Sequence, residues 1–208
     1  MDSRPPVVSI VDDDRLFRRS VEFLVQSLGY QVQPFGSAEE YLRSPRPDTA
    51  SCLILDIRMP GLNGLDLQRT LSGSHLETPI IFITGHGDIP MSVRAMKGGA
   101  VEFLTKPFHE QDLLDAISTA IEQDRISRIK KSELTALRDR FESLTPKERK
   151  VMAFVVAGLL NKQIAGKLEL SEITVKIHRH RVMNKMKAES LAQLVRMSER
   201  LGIAIPKY

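Results

Sequence analysis

The stretch Cys52-Leu53-Ile54-Leu55-Asp56 decides the fold, because it sets an acidic residue directly after four consecutive apolar ones. Comparable short runs recur on either side of it, at Val7–Val11, at a weaker Gln31–Phe35, and at residues 80–83 and 101–104. Near-continuous apolar runs of this length are typical of strands that are buried on both faces of a parallel sheet. We therefore predict five strands in this part of the chain.

Amphipathic segments separate the predicted strands. They cover residues 16–28, 38–43, 65–71, 90–97 and 110–121, and Ser37 followed by Glu40 gives the second segment a capping box. Strands that alternate with helices over short links form a parallel sheet covered by helices on both faces. The fold class predicted here is α/β, with a doubly wound five-stranded parallel sheet.

The length and the charge distribution both indicate two domains. A chain of 208 residues is long for one hydrophobic core and sufficient for two. Residues 1–124 hold 11 basic and 18 acidic side chains, a net charge of −7, whereas residues 125–208 carry +11. The basic part suggests a polyanionic partner, either nucleic acid or an anionic membrane, and the acidic part suggests a cation site.

Cysteine content and hydropathy indicate the cellular compartment. Cys52 is the only cysteine, which excludes an intrachain disulfide and fits a reducing environment. The first six residues lack the apolar core of a signal peptide, and the longest apolar stretch, residues 151–160, is far shorter than the ~20 residues that span a bilayer. We expect a cytoplasmic protein without a membrane partner.

Chemically active side chains follow the predicted strands: Asp12, Asp13 and Asp14 after the first, Asp56 at the third, Thr84 at the fourth, and Lys106 with Pro107 at the fifth. Ligands of doubly wound sheets bind at these carboxyl ends. Carboxylates that meet there repel one another unless a hard cation such as Mg²⁺ bridges them, and such a carboxylate can attack phosphorus to form an acyl phosphate. A single strand-end Asp is more often a helix cap, but the four strand ends together favour a phosphoryl site.

The motifs at these ends resemble those of the receiver domains of two-component response regulators, a CheY- and flavodoxin-like fold, over residues 7–124. They are Val11-Asp12-Asp13, Leu55-Asp56-Ile57-Arg58-Met59-Pro60, Ile83-Thr84-Gly85 and Lys106-Pro107-Phe108. The resemblance implies that Asp56 is the phosphoacceptor and that Thr84 and Lys106 bind the phosphoryl group. It also implies a Mg²⁺ site, with Mn²⁺ as an alternative ion, formed by Asp12 (through water), Asp13, Asp56 and the backbone carbonyl of Arg58.

The same resemblance implies three finer features. Lys106 and Pro107 are joined by a cis peptide, Phe103 changes rotamer together with Thr84, and Arg58 and His86 flank the phosphoryl group and tune its lifetime. An ordinary strand residue packed between helices is an equally good interpretation of Phe103. The rival enzyme is a phosphoaspartyl hydrolase of the haloacid dehalogenase type, which requires a second Asp where this chain has Arg58.

A long helical segment follows the predicted receiver domain. Residues 111–140 contain neither Gly nor Pro, and apolar residues recur with imperfect helical spacing. We predict a last receiver helix that continues into a linker helix over residues 125–141. A solvated spacer is favoured over a coiled-coil dimer seam, and both interpretations remain open.

The last part of the chain, residues 142–208, is predicted to be an all-α domain of four helices. Thr145-Pro146-Lys147-Glu148 combines an N-cap, a first-turn proline and a capping-box glutamate, and Gly158 is suited to the left-handed end of that helix. A short helix covers residues 161–168, Ser171 caps a third helix that reaches about residue 187, and a fourth covers residues 191–201. The second and third helices form a helix-turn-helix.

Basic residues crowd this helix-turn-helix, and no acidic residue lies between Ile173 and Ala188. A solvated charged helix would normally intersperse Glu or Asp, and a membrane-surface helix would carry the Trp or Phe that this face lacks. Together with Leu144-Thr145-Pro146-Lys147-Glu148-Arg149, the segments Asn161-Lys162-Gln163-Ile164-Ala165 and Thr174-Val175-Lys176 are similar to the LuxR-type helix-turn-helix. The match implies that base edges face Lys176, Ile177 and His180 and that the DNA backbone contacts Lys162, Thr174, Arg179 and Lys185.

The whole chain therefore resembles a FixJ- or NarL-type response regulator, with a receiver domain (1–124), a linker helix (125–141) and a LuxR-type domain (142–208). This implies that a histidine kinase phosphorylates Asp56, that the chain then dimerises and binds promoter DNA, and that RNA polymerase is a further partner. The implied activity is transcription regulation and not enzymatic turnover. A constitutive DNA-binding protein with a vestigial receiver domain is the main alternative.

Overall fold

The computed structural model describes residues 4–73, 78–85 and 87–203. The chain divides into two compact units, with the boundary between Arg128 and Ile129. The strands are β1 (Val7–Val11), β2 (Gln31–Phe35), β3 (Ser51–Asp56), β4 (Ile80–Thr84) and β5 (Glu102–Thr105). The helices of the first unit are α1 (Arg15–Gln26), α2 (Ala38–Arg43), α3 (Gly64–Gly73), α4 (Ile89–Lys97) and α5 (Glu110–Glu142), which continues into the second unit. The second unit adds α6 (Pro146–Val156), α7 (Asn161–Leu168), α8 (Glu172–Met186) and α9 (Leu191–Arg200).

All strand pairs are parallel, and their order is β2-β1-β3-β4-β5. Alternate residues of a strand point to opposite faces. Leu53 and Leu55 pack against α2, α3 and α4, whereas Cys52 and Ile54 pack against α1 and α5. The apolar run around residue 54 is continuous because both faces of β3 are covered, and the predicted α/β fold is confirmed.

A buried carboxylate anchors α5 within the first unit. Asp124 is 5% exposed and accepts hydrogen bonds from the backbone N of Ser51 at 2.8 Å and from Nε of Arg128 at 2.7 Å. Arg128 also donates to the carbonyl of Pro47 at 2.9 Å. These bonds fix α5 against the start of β3. The predicted last receiver helix and linker helix form one continuous helix of 33 residues.

Local signals in the sequence account for most helix ends. Thr145 and Glu148 form the predicted capping box, Gly158 has φ +89°, and Oγ of Ser171 accepts from the backbone N of Thr174 at 3.1 Å. Oγ of Ser37 likewise caps α2 by accepting a hydrogen bond from the backbone N of Glu40. The Glu40 carboxylate, however, accepts from the backbone N of Gly36 at 2.7 Å. In the predicted capping box the donor to this carboxylate is the backbone N of Ser37, so the observed donor lies one residue earlier in the chain.

The core of the second unit lies between α6, α7, α8, α9 and the end of α5, which contributes the buried Leu137. Val151, Val155, Val175, Val182 and Leu194 are buried in it. The four-helix domain predicted from the sequence is confirmed in this part of the chain. Within the described residues of the whole chain, no helix combines the length and the apolar character needed to cross a membrane.

An ion pair between a buried carboxylate and a partly exposed ammonium group joins α6 to α8. The Glu148 side chain is 2% exposed, and its Oε2 accepts hydrogen bonds from Nζ of Lys185 at 2.7 Å and from the backbone N of Thr145 at 2.9 Å. Burial raises the pKa of Glu148, but the hydrogen bonds from Lys185 and Thr145 outweigh it, so the pKa lies below its usual value of 4.5. The ionised form is therefore favoured by folding.

We expect Glu148→Gln to destabilise the second unit by about 1–2 kcal/mol at neutral pH, because it removes a charge-assisted hydrogen bond. Because the folded-state pKa is depressed, the contribution of Glu148 is present above pH 4.5 and is lost as the pH falls through the folded-state value. Hydrogen exchange of peptides from α6 and α8 measures this unit separately. The exposed Glu199 provides the control variant Glu199→Gln, and equal protection in both variants would contradict the role of Glu148.

Candidate functional site

The parallel sheet brings the ends of four strands together at one edge. Asp12 follows β1, Asp56 ends β3, Thr84 ends β4 and Lys106 follows β5. One carboxylate oxygen from each of Asp12, Asp13 and Asp56 lies within 4.8 Å of the other two. Asp12 and Asp56 are buried and Asp13 is exposed, so the cluster opens to solvent on one side. The carboxylates predicted from the strand ends form a single site.

Lys106 supplies the positive charge of this site. Its Nζ donates to Oδ2 of Asp12 at 2.7 Å and lies 3.6 Å from Oδ2 of Asp56. The ammonium group also lies over the ring of Phe17, 3.6 Å from the centroid, where the electron-rich face attracts a cation. The Lys106–Pro107 peptide bond is cis. Lys106 is thus held between the two buried carboxylates.

The environment of Asp56 disfavours its negative charge. Burial raises the pKa of Asp56, the Lys106 ammonium opposes this effect, the neighbouring Asp12 carboxylate adds to it, and the net change is upward. The backbone N of Arg58 donates to Oδ1 of Asp56 at 3.3 Å. A carboxylate that is poorly solvated and faces another carboxylate gains from a bound cation.

The donor set of the cluster fits Mg²⁺. Three carboxylates with oxygens this close offer the hard ligands that this ion prefers, and the exposed side leaves room for waters and phosphate oxygens. Receiver domains typically use Mg²⁺, and this acidic cluster is where the chain could bind it.

The loop after Asp56 is held by two residues outside it that the sequence did not single out. The Cα of Gly64 lies against the backbone carbonyl of Asp56, where a Cβ would collide with main-chain atoms, and its N donates to the carbonyl of Ile57 at 3.0 Å. Oε1 of Glu39 on α2 accepts from the backbone N of Leu62 at 3.0 Å. The position of Gly64 at the start of a predicted helix could have indicated its role. No sequence pattern indicated the role of Glu39.

The predicted switch residues lie beside this site. Thr84 is fully buried at the end of β4, and its carbonyl accepts from the backbone N of Lys106 at 2.8 Å. Phe103 is partly buried, with its ring centroid 6.5 Å from that of Phe82. Gly87 lies against the Phe103 ring, since a Cβ there would come within 3.0 Å of it. His86, the predicted tuning residue, lies outside the described residues.

A second candidate site is the outer surface of α8. Lys176, Ile177 and His180 are exposed there, and His180 Nε2 lies 3.0 Å from Nδ2 of Asn184. Thr174 lies in the first turn of the helix, with its Oγ1 2.7 Å from Oγ of the N-cap Ser171. The helix therefore presents its predicted base-facing residues to solvent.

The predicted backbone contacts differ in their surroundings. Lys162 is exposed on α7, and Arg179 donates to Oδ1 of Asn161 at 3.2 Å, which ties α8 to α7. Lys185 donates to Glu148 and, at 3.1 Å, to the carbonyl of Ser143. The ammonium group of Lys185 is thus engaged by two partners within the domain.

Comparisons with known proteins find relatives of both parts of the chain. Residues 8–118 match the family described as the response regulator receiver domain, and residues 142–198 match the luxR family of bacterial regulatory proteins. Nodulation protein W of Bradyrhizobium diazoefficiens is 55% identical over 202 residues, which cover 97% of this chain and 89% of that protein. Transcriptional regulatory protein FixJ of Rhizobium meliloti is 42% identical over 92% of this chain and 94% of its own length.

Two solved structures of response regulators are similar to this chain over almost its whole length. A low-resolution structure of the response regulator StyR has a TM-score of 0.86 and 46% identity, covering 95% of this chain and all of that one. Full-length FixJ from B. japonicum has a TM-score of 0.57 and 39% identity, covering 95% of this chain and 98% of that one. The chain belongs to the two-component response regulators that combine a receiver domain with a LuxR-type DNA-binding domain.

Proposed function

We propose that phosphorylation of Asp56 by a histidine kinase switches this chain to a dimer that binds specific promoter DNA and regulates transcription. The observation that carries the proposal is the position of Lys106 between Asp12 and Asp56 at the shared strand edge. A carboxylate beside a fixed ammonium group can accept a phosphoryl group, whose added charge of up to about −2 the cation partly offsets.

The chemistry is a transfer of a phosphoryl group between two side chains. An oxygen of Asp56 attacks phosphorus, a new O–P bond forms, and the N–P bond to the kinase histidine breaks, so the imidazole leaves. Lys106 and the Thr84 hydroxyl bind the phosphoryl oxygens. Mg²⁺ (or Mn²⁺), held by Asp12, Asp13, Asp56 and the Arg58 carbonyl, would supply further neutralisation of negative charge.

We propose that the surface that responds is α4. Asp88, which follows β4, caps this helix by accepting from the backbone N of Met91 at 2.7 Å. Ile89 (80% exposed), Val93 and Met96 form one apolar stripe at helical spacing, while Met91 and Ala95 are buried. A movement of Thr84 toward the phosphoryl group would displace the start of α4, with Phe103 filling the space that Thr84 vacates. Burial of the exposed stripe against a second copy then gives a dimer.

Dimerisation explains how one phosphoryl group could alter DNA occupancy. Two α8 helices of a dimer can enter the major groove at half-sites about one helical turn apart. We propose that Lys176, Ile177 and His180 meet base edges, that Lys162, Thr174 and Arg179 contact the backbone, and that the bound dimer contacts RNA polymerase.

The test measures the affinity of the whole chain for duplexes selected from random DNA, with and without acetyl phosphate and Mg²⁺. We expect phosphorylation to tighten binding by about 5- to 150-fold, a typical coupling between two sites, together with a shift from monomer to dimer in sedimentation. Lys176→Ala should weaken binding by about 5- to 150-fold in both states, and Lys130→Ala on α5 serves as the control.

Two results would contradict the proposal in different ways. Equal affinities with and without phosphorylation would indicate the constitutive DNA-binding protein considered from the sequence. Binding that is strongly salt-dependent but blind to sequence would exclude a promoter-specific regulator, because phosphate contacts alone would then account for it.

A further inference from the structure

Helix α8 has two opposite faces with different roles. Val175, Val182 and Met186 are buried in the core of the second unit. With 3.6 residues per turn, the face opposite to them carries Ile173 and Ile177 in its N-terminal half. These two side chains are 74% and 48% exposed. An apolar pair therefore lies on the side of α8 that contributes nothing to the core.

The surroundings of this pair are cationic. Lys176 and Arg181 are exposed beside it, and the residues between Ile173 and Ala188 include no acid. The same outer face continues with His180 and Asn184, whose side chains are hydrogen-bonded to each other at 3.0 Å. A partner that covers this face must carry negative charge to match the basic side chains. It must also present apolar groups that Ile173 and Ile177 can both contact.

We propose that Ile173 and Ile177 together bind the 5-methyl groups of thymines in the major groove. This inference rests on the proposed DNA-binding function and names the chemical group that the apolar half of α8 recognises. Among the base edges of the major groove, only thymine presents a methyl group, and the duplex supplies the negative charge. Ile173 lies outside the core of the second unit, and together with Ile177 it forms an exposed apolar pair, the kind of surface that marks a contact with a partner.

The geometry sets the spacing of the recognised bases. Residues four apart on a helix are separated by about 6 Å along its axis, which is close to two base-pair steps of about 3.4 Å. Ile173 precedes Ile177 and lies in the first turn, the part of a recognition helix that reaches base edges. The preferred duplex should therefore contain two thymines within about two base-pair steps in each half-site.

The experiment replaces single thymines by deoxyuridine, which removes only the methyl group, in a duplex selected by the wild-type chain. We expect the wild-type chain to lose about fourfold in affinity at each of the two positions. Ile173→Ala should bind the thymine duplex about fourfold more weakly than the wild-type chain does. At one of the two thymine positions it should no longer distinguish thymine from uracil. Alanine is the best helix former, so the variant keeps the fold of α8.

Leu191, a partly exposed apolar residue at the start of α9, provides the control variant Leu191→Ala, which should still distinguish thymine from uracil. Equal wild-type affinities for thymine and uracil at every position, with sequence-specific binding retained, would overturn this inference and leave the proposed function intact. The inference would also be overturned if Ile173→Ala lost the same affinity for the thymine duplex and for the uracil duplex. That result is expected if Ile173 and Ile177 bind a protein. Failure of the wild-type chain to select any sequence would overturn both.

Discussion

The chain carrying Asp56→Asn is expected to take up no measurable phosphoryl group from acetyl phosphate or from a histidine kinase. The substituted amide lacks the nucleophilic carboxylate, although its oxygen could still accept the hydrogen bond from the backbone N of Arg58. Burial and the neighbouring Asp12 already disfavour the charge of Asp56, so its removal should not unfold the domain. The loss of labelling would therefore report chemistry and not stability.

The measurement uses acetyl phosphate radiolabelled in its phosphoryl group, with Mg²⁺. The label that counts is the fraction released by hydroxylamine, as expected of an acyl phosphate. The control is Asp115→Asn, which changes an exposed carboxylate on α5 and should label like the wild-type chain. Chelation of Mg²⁺ should abolish labelling of both the control and the wild type. Equal labelling of Asp56→Asn and wild type would place the acceptor elsewhere and contradict the proposed switch.

Gly64→Ala is expected to destabilise the receiver domain by about 3 kcal/mol and to slow the labelling of Asp56. The added methyl group overpacks a tight contact, and the destabilisation should lie at the upper end of the range usual for overpacked sites. The Cβ of an alanine there would overlap the backbone carbonyl of Asp56 and come within 3.0 Å of the Cα of Ile57. Both neighbours belong to the main chain, which cannot move aside as a flexible side chain can. The end of β3 would shift together with Asp56, the proposed phosphoacceptor.

A matched control lies in the same helix. Gly73, at the other end of α3, has no neighbouring heavy atom within 4 Å of the place that a Cβ would occupy. Gly73→Ala should therefore change stability by about 0.5 kcal/mol or less. Hydrogen exchange of β3 and α3 peptides measures stability, and the initial rate of labelling measures function. If the two variants behaved alike, the close contact at Gly64 would not be a constraint on the site.

Much of the proposed phosphoryl site was predictable because parallel strands end at one edge of a sheet. That rule places Asp12, Asp56, Thr84 and Lys106 together from the order of apolar runs alone, and the structure brings them together. It says nothing about which residues hold the loop between β3 and α3. Glu39 reaches that loop from α2, a contact that depends on how helices and loops pack and that leaves no periodic trace in the sequence.

In the helical domain, too, contacts between residues close in sequence were predictable, whereas a contact between distant residues was not. Caps at Thr145 and Ser171 involve residues three apart in sequence and were predicted from their identities. Lys185 looked like a DNA-backbone contact because the surrounding segment is basic, yet its partner Glu148 lies 37 residues away. Charge density identifies a cationic surface, but only the packing of α8 against α6 shows which cation is engaged within it.

The separation of the two faces of α8 has an evolutionary consequence. Substitutions on the outer face, which bears Ile173, Ile177 and His180, remove no contact with the buried face and should be close to neutral for folding. A gene duplicate could therefore acquire a new set of target promoters through a few changes on this face. The phosphorylation chemistry of the receiver domain would pass unaltered to both descendants.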